Sequence, residues 1–358
     1  MASDDSRGIE KPEAPKLKRI LSGMRPTGKM HLGNYYGALY NWMRLQEDYQ
    51  CFYFVADWHA LTTEYETPGT ISGFIPEMVT DWLSVGLDPE KSTIFVQSAI
   101  PEHCELYLIF GMFTPVPWLE RNPTYKDQME QLAHKDLATH GFLGYPVLQA
   151  ADILMYKAGG VPVGVDQVPH VEMTREIARR FNHLYRPIFP EPEALLTEIP
   201  KLTGTDGRKM SKSYGNCIYL SDPPDVMAKK IRQMTTDTQR PFKKDPGEPD
   251  RCLAFPFHRL NLPKARLDEI STECRKANLG CVDCKKMLAE ALLENLAPIQ
   301  ERRRYYEAHP DEVLDVMRQG NDRARQQARQ TMAEVRDAVG FNRKFQLGPF
   351  PPLTSSKR

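Results

Sequence analysis

Between residues 19 and 182 short apolar runs alternate with longer stretches of helical periodicity, and this alternation limits the available folds more than any other feature. Residues 19–23, 51–56 (Cys-Phe-Tyr-Phe-Val-Ala), 92–97 and 161–163 read as strands. Helical patterns cover about 31–45, 71–85, 105–113 and 168–182. Strands alternating with helices predict an α/β fold, a parallel sheet covered on both faces. In such sheets ligands bind beyond the carboxyl ends of the strands, so the segments after each strand are where chemistry is expected.

Past residue 222 strand signals stop, and 224–235, 264–278, 285–307 and 311–340 read as helices. Leu288, Leu292, Leu296 and Ile299 recur at helical spacing, the stripe of a core-facing helix. The expected organisation is a polar tail at 1–17, an α/β unit at 18–221, a mostly helical unit at 222–345 and a proline-rich tail at 346–358. Lys+Arg and Asp+Glu both total 47, so any nucleic-acid surface has to be a local patch rather than a global field. Residues 302–306 (Arg-Arg-Arg-Tyr-Tyr) are one candidate for such a patch, although a solvated helix end is the plainer reading. No apolar run approaches the ~18 residues of a membrane span, and the amino-terminal tail has no apolar core of a secretory signal. A cytoplasmic location with reduced thiols is therefore expected.

Two loop segments carry the strongest chemical signal. Residues 26–34 (Pro-Thr-Gly-Lys-Met-His-Leu-Gly-Asn) follow the first strand and open the first helix. A helix tip offers unpaired N–H groups and a positive dipole end, which suit a polyphosphate. His31 and Asn34 fall on one face of that helix, and Gly33, lacking a Cβ, lets a flat ring approach the backbone. Much later, 207–216 (Gly-Arg-Lys-Met-Ser-Lys-Ser-Tyr-Gly-Asn) forms a small, polar, glycine-punctuated segment. Lys209, Lys212 and Arg208 there could close on a triphosphate and neutralise the departing pyrophosphate.

Together these segments resemble the two signatures of the class I aminoacyl-tRNA synthetases, in the right order. Residues 31–34 are similar to the first signature, whose last position is more often histidine. Residues 209–213, Lys-Met-Ser-Lys-Ser, match the second in full. The resemblance implies a Rossmann-type catalytic domain at 18–221 and a helical anticodon-binding domain at 222–345. It implies catalytic roles for His31, Asn34, Lys126, Lys209 and Lys212. Around ATP it implies Arg25, Thr27, Gly33, Asn34, Gly164, Asp166, Lys209, Met210, Ser211 and Lys212.

Three further segments bear on the amino acid. Residues 144–154 put a single carboxylate, Asp152, on a largely apolar helix, where it is costly unless paired. Such an acid is usually a structural hydrogen-bond partner; the sharper option is a ligand N–H, and an indole carries a donor and no acceptor. Residues 164–167 (Gly-Val-Asp-Gln) follow one strand and 57–59 (Asp-Trp-His) another. All three resemble the tryptophanyl-tRNA synthetases, a likeness running from about 19 to 341. By that resemblance Asp152 accepts the indole N–H, Tyr145 and Gln167 hold the ammonium, and Asp166 binds the ribose. Lys126 meets the triphosphate, and His59, Val161 and Val163 border the ring. Arg25 stands where many relatives carry glutamine and Gln149 where many carry methionine, so those two contacts depart from the family pattern. The alternatives are a tyrosyl-tRNA synthetase, which shares the fold, and a synthetase-like RNA-binding protein without activity. The implied partners are ATP with Mg²⁺, L-tryptophan, the tRNA for tryptophan and a second copy of the chain. No protein nucleophile is required, because the amino acid's own carboxylate attacks the α-phosphorus.

The seven cysteines include one cluster, Cys252-x₂₁-Cys274-x₆-Cys281-x₂-Cys284. Four thiolates suit Zn²⁺ or an iron–sulfur cluster, and spacing alone does not choose between them. The run is very similar to one in a subset of bacterial tryptophanyl-tRNA synthetases that binds a [4Fe–4S] cluster, which favours iron with zinc as the alternative. Cys51, Cys104 and Cys217 have no metal spacing.

Overall fold

The computed structural model describes residues 18–131, 135–196, 202–237 and 239–341. The tails expected at 1–17 and 346–358 lie outside the described residues. Five strands, β1 (Arg19–Met24), β2 (Gln50–Val55), β3 (Ser92–Val96), β4 (Gly160–Val163) and β5 (Glu193–Leu196), form one wholly parallel sheet in the order β3-β2-β1-β4-β5. Four of these are the expected strands. The fifth, Glu-Ala-Leu-Leu at the sheet edge, has no buried residue and is not among the expected strands.

The first three strands build outward in one direction and the last two in the other, so the order reverses between β1 and β4. That reversal opens a crevice at their carboxyl ends. β2 is buried at every position but its first. Trp42 stacks on Tyr53 on one face, with ring centres 4.4 Å apart. Tyr156 stacks on Phe52 at 4.7 Å on the other face, as alternating side chains require. The sequence pattern predicts one regular helix over about 31–45. Instead Leu32–Asn34 and Tyr40–Leu45 are joined by a π-helical turn, Tyr35–Leu39, a deformation that periodicity alone does not signal.

Among the described residues no strand follows β5. The later chain is helical, over Pro224–Gln233, Phe255–Asn261, Lys264–Arg275, Cys281–Ala308 and Pro310–Ala338. Leu288, Leu292, Leu296 and Ile299 are buried, and they share a core with Ile20 and Tyr53 of the sheet. The helix Pro310–Ala338 lies along the edge strand β3. The Asn321 side-chain oxygen accepts the Val96 backbone N–H at 2.9 Å, and Thr331 donates its hydroxyl to the Met155 carbonyl at 2.7 Å. A strand edge is thereby covered, which removes a pairing site for foreign strands. Arg303, in the basic run, is neither a solvated helix end nor a free phosphate ligand. It is buried, 3.1 Å from Asp81 and 3.2 Å from Glu77, while Arg302 donates to the Ser84 carbonyl at 2.6 Å. Among the described residues no helix is long and apolar enough to cross a membrane.

Candidate active site

A cavity of about 330 Å³ opens where β1 and β4 diverge. Its walls come from the ends of β1 (Ser22, Gly23, then Arg25), β2 (Phe54, then Ala56 and His59) and β4 (Val161, Val163, then Gly164 and Gln167). The helix His140–Met155 closes it with Tyr145, Gln149 and Asp152. The seven residues singled out for the amino acid, His59, Tyr145, Gln149, Asp152, Val161, Val163 and Gln167, therefore share one cavity. Gly23 is required at its position: a Cβ there would stand 2.5 Å from the Phe54 ring. Arg25 is reachable from the cleft yet ringed by protein, and that crowding holds its guanidinium below the ordinary arginine range.

Asp152 is wholly buried at the back of the cavity. One carboxylate oxygen, Oδ2, accepts from His59 Nε2 at 2.7 Å, and the other, Oδ1, from His103 Nδ1 at 2.6 Å. Gln97 Nε2 donates to both, at 2.9 and 3.0 Å. Burial alone would push the carboxyl up, but the hydrogen bonds from His103 and His59 outweigh it and hold Asp152 below the usual carboxylate range. An ionised carboxylate accepts only, so the wall here is selective for a ligand donor. Tyr145 hydroxyl lies 3.0 Å from His170 Nε2, and Asn122 lies 3.0 Å from the other ring nitrogen. Burial pulls His170 down to about 4, so this histidine is neutral near pH 7.

The two signature segments meet beside this cavity. Leu32 N–H donates to the Ile218 carbonyl at 2.9 Å and Leu220 N–H to the Met30 carbonyl at 3.0 Å, tying the first segment to the chain just after the second. Met210 is buried with Met30 and Leu32. Lys212 reaches over Gly28: a Cβ at Gly28 would be 2.9 Å from the Lys212 ammonium nitrogen. Gly28 has φ 131°, which a side chain would also strain. Burial lowers the Lys212 pKa from its ordinary value.

The helix tip differs from the sequence expectation. His31 caps the helix rather than lying in it, and its Nδ1 accepts the Asn34 N–H at 3.3 Å while Asn34 Oδ1 accepts the His31 N–H at 3.2 Å. With Leu32 N–H donated to Ile218, the N–H groups of His31, Leu32 and Asn34 are all engaged within the protein. Burial, helped by the Lys212 charge, pulls His31 down to about 4. A neutral imidazole accepting at Nδ1 carries its proton on Nε2, so His31 is a neutral donor facing outward from its cap.

Other candidates lie apart from the cavity wall. Lys126 and Lys209 are exposed, as are Thr27 and Asp166, while Ser211 is half-buried. Asp166 accepts from Gln167 Nε2 at 3.2 Å, and a Cβ at Gly164 would stand 2.9 Å from its Oδ1. Arg208 turns away from the loop's interior, paired with Asp206 at 2.7 Å and lying over the Tyr214 ring at 4.4 Å. Buried Asn216 pins the loop, accepting the Ser211 N–H at 2.9 Å and donating to the Lys209 carbonyl at 3.1 Å. Sequence reasoning missed Gln97, His103 and Tyr156 behind Asp152. None carries a motif, and only the packing of the helix Glu102–Gly111, which carries His103, against the helix His140–Met155 gathers them, with Gln97 just past β3 and Tyr156 just past His140–Met155.

The four clustered cysteines line one small cavity of about 20 Å³. Arg240 directs its guanidinium to Cys274 and Cys281 at 3.7 and 3.9 Å, and His258 Nε2 lies 3.2 Å from Cys284 Sγ. Neither residue is marked by the cysteine spacing. Burial raises Cys252 and Cys274 and pushes Cys284 to about 12. Among the described residues no three His, Cys, Asp or Glu close tightly enough to hold a single ion.

The chain belongs to the family of class I tRNA synthetases for tryptophan and tyrosine (W and Y), whose model matches residues 16–297. Among its relatives is a tryptophan–tRNA ligase of Thermotoga maritima, 53% identical across 90% of this chain and 99% of its own length. One of Aquifex aeolicus is 46% identical across 90% of this chain and all of its own. The crystal structure of tryptophanyl-tRNA synthetase from Campylobacter jejuni complexed with ADP and tryptophan superposes with a TM-score of 0.81 at 34% identity, covering 90% of this chain and 99% of that one. A tyrosyl-tRNA synthetase from Archaeoglobus fulgidus, at 22% identity and a TM-score of 0.63, shares the fold alone.

Proposed function

We infer that the chain is a tryptophan–tRNA ligase, which activates L-tryptophan with ATP and transfers it to the terminal adenosine of its tRNA. The observation that carries this reading is the meeting of the two signature segments, Lys212 over Gly28, beside a cavity whose only buried carboxylate is acceptor-only Asp152. The residue roles are read as follows, supported for the amino-acid contacts by the shared cavity. Asp152 accepts the indole N–H, with Val161, Val163 and Gln149 bordering the ring and Tyr145 with Gln167 beside the ammonium. The substrate carboxylate attacks the α-phosphorus in line. His31, Asn34, Lys126, Lys209 and Lys212 meet the phosphates, and Mg²⁺ arrives with the nucleotide. Thr27, Gly33, Gly164, Asp166, Met210 and Ser211 form the nucleotide's remaining surroundings. Every protein contribution is positioning or electrostatic, as phosphoryl chemistry needs.

Tryptophan- and tyrosine-dependent ATP–pyrophosphate exchange, run side by side, tests the reading. Tryptophan should drive exchange and tyrosine should not. Equal rates with tyrosine would overturn the assignment, and no exchange with either would leave the RNA-binding alternative.

The region 222–345, helical over most of its described residues, is read as the anticodon-binding part of a homodimeric, cytoplasmic enzyme. Exposed Leu108 and Met112, one turn apart on one face, support an apolar contact between copies. Cys252, Cys274, Cys281 and Cys284 are read as ligands of a [4Fe–4S] cluster. Support comes from the shared cavity, the donor chemistry of four thiols, and Arg240, whose positive charge offsets thiolates. The cluster would supply a structural brace in the helical region, and zinc is the alternative occupant.

A further inference from the structure

Asp152 is fully subscribed before any ligand arrives. Three side chains, His59, His103 and Gln97, supply four donor contacts to its two oxygens. Of the three, only His59 borders the cavity. His103 and Gln97 stand behind, with no exposed surface. His103 is also fixed from its far side, where Nε2 lies 2.8 Å from the Tyr156 hydroxyl. Tyr156 itself is sealed in aromatic packing, 4.7 Å from the Phe52 ring and 5.2 Å from Phe95, and has no exposed surface. A hydroxyl so enclosed donates to the one acceptor within reach. That donation requires a lone pair on Nε2, so the His103 proton sits on Nδ1 and points at Asp152 Oδ1.

We propose that the Tyr156–His103 pair is a positioning device for substrate selection, one that clamps Oδ1 of Asp152 and leaves Oδ2, on the His59 side, as the oxygen offered to a ring N–H. This rests on the reading that Asp152 accepts the indole N–H. The substrate donor displaces His59, the exchangeable partner, while His103 keeps the carboxylate from turning. Without the Tyr156 hydroxyl, His103 can adopt the other tautomer, which sets a nitrogen lone pair against the carboxylate. The acid then rotates or takes a proton, and its preference for a donor weakens.

The test uses two substrates of one shape, tryptophan and β-(3-benzothienyl)alanine, in which sulfur replaces the indole N–H. Sites built around one hydrogen bond reject analogues lacking it by up to about 10⁴–10⁵. The readout is the ratio of kcat/KM for the two substrates in pyrophosphate exchange, with the full chain as wild type, Tyr156→Phe, His103→Asn and Asp152→Asn. The expected result is a wild-type preference for tryptophan that falls at least tenfold in Tyr156→Phe and His103→Asn, with the analogue's own kcat/KM within about threefold. A purely structural role lowers both substrates together and leaves the ratio unchanged, and that result overturns the proposal. Because Tyr156→Phe removes one oxygen and no volume of ring, it decides the matter even where His103→Asn fails to fold. A wild type indifferent to the two substrates, or an Asp152→Asn variant that keeps the preference, would instead sink the underlying reading of Asp152. An intact Asp152 effect with a silent Tyr156→Phe sinks the positioning role alone.

Discussion

Replacing Lys212 with alanine should slow tryptophan activation roughly a hundredfold while leaving tryptophan binding unchanged. Lys212 contributes nothing to the wall of the cavity, so the amino-acid pocket keeps its shape without it. Its ammonium stands over Gly28, partly withdrawn from water, and its charge is felt at His31. A unit charge about 4 Å from a phosphate oxygen is worth roughly 4 kcal/mol at an effective dielectric near 20. Partial solvation of the loop reduces that to about 3 kcal/mol, and each ~1.4 kcal/mol is tenfold in rate. The loss should appear in kcat, because negative charge builds on the bridging and terminal oxygens only as pyrophosphate leaves. The assay is ATP–pyrophosphate exchange at saturating tryptophan and ATP, paired with equilibrium dialysis of tryptophan. Lys212→Arg, which keeps the charge, should recover most of the rate. Exchange within about threefold of wild type in Lys212→Ala, or an equal loss in Lys212→Arg, would refute the electrostatic argument.

Gly320→Ala should destabilise the fold by about 3 kcal/mol, measured as a fall in the urea midpoint, because the new Cβ would lie inside the Ile94 carbonyl oxygen. Alanine gains roughly 1 kcal/mol of helix propensity over glycine, so an unchanged midpoint would mean that the helix shifts off β3 freely. Stability should decline as pH falls from about 6.5 towards 4. His170 is held neutral down to about 4 in the folded chain, whereas the unfolded chain protonates near the ordinary value of 6.5. Its contribution is fully present above 6.5 and lost through that window, at most about 3 kcal/mol, and His170→Gln should flatten the slope seen by thermal denaturation. Protein purified without oxygen should be brown and hold about four irons per chain, and Cys274→Ser should lower that content. A colourless preparation with stoichiometric zinc would overturn the iron reading.

Residue order along the chain was enough to establish the parallel sheet, because short strand-like segments alternate with helical stretches from β1 to β4. It also brought out the two signature segments that meet in the fold, since Lys-Met-Ser-Lys-Ser and His-Leu-Gly-Asn concentrate their chemistry in contiguous residues. The seven pocket residues from His59 to Gln167 were legible by the same route, each sitting at a strand end or on the helix His140–Met155. What no local pattern encodes is pairing at a distance. His103 becomes the partner of Asp152 only because packing brings residues 49 positions apart within 2.6 Å. Arg303 reads as one of three surface arginines until the helix Cys281–Ala308 docks on Gly69–Val85 and buries it against Asp81. The edge of β3 is protected by Asn321, 225 residues away. A strand or a loop motif is written in neighbouring side chains, whereas burial and the hydrogen bonds that satisfy it depend on which surfaces exclude water together, and only the tertiary structure decides that.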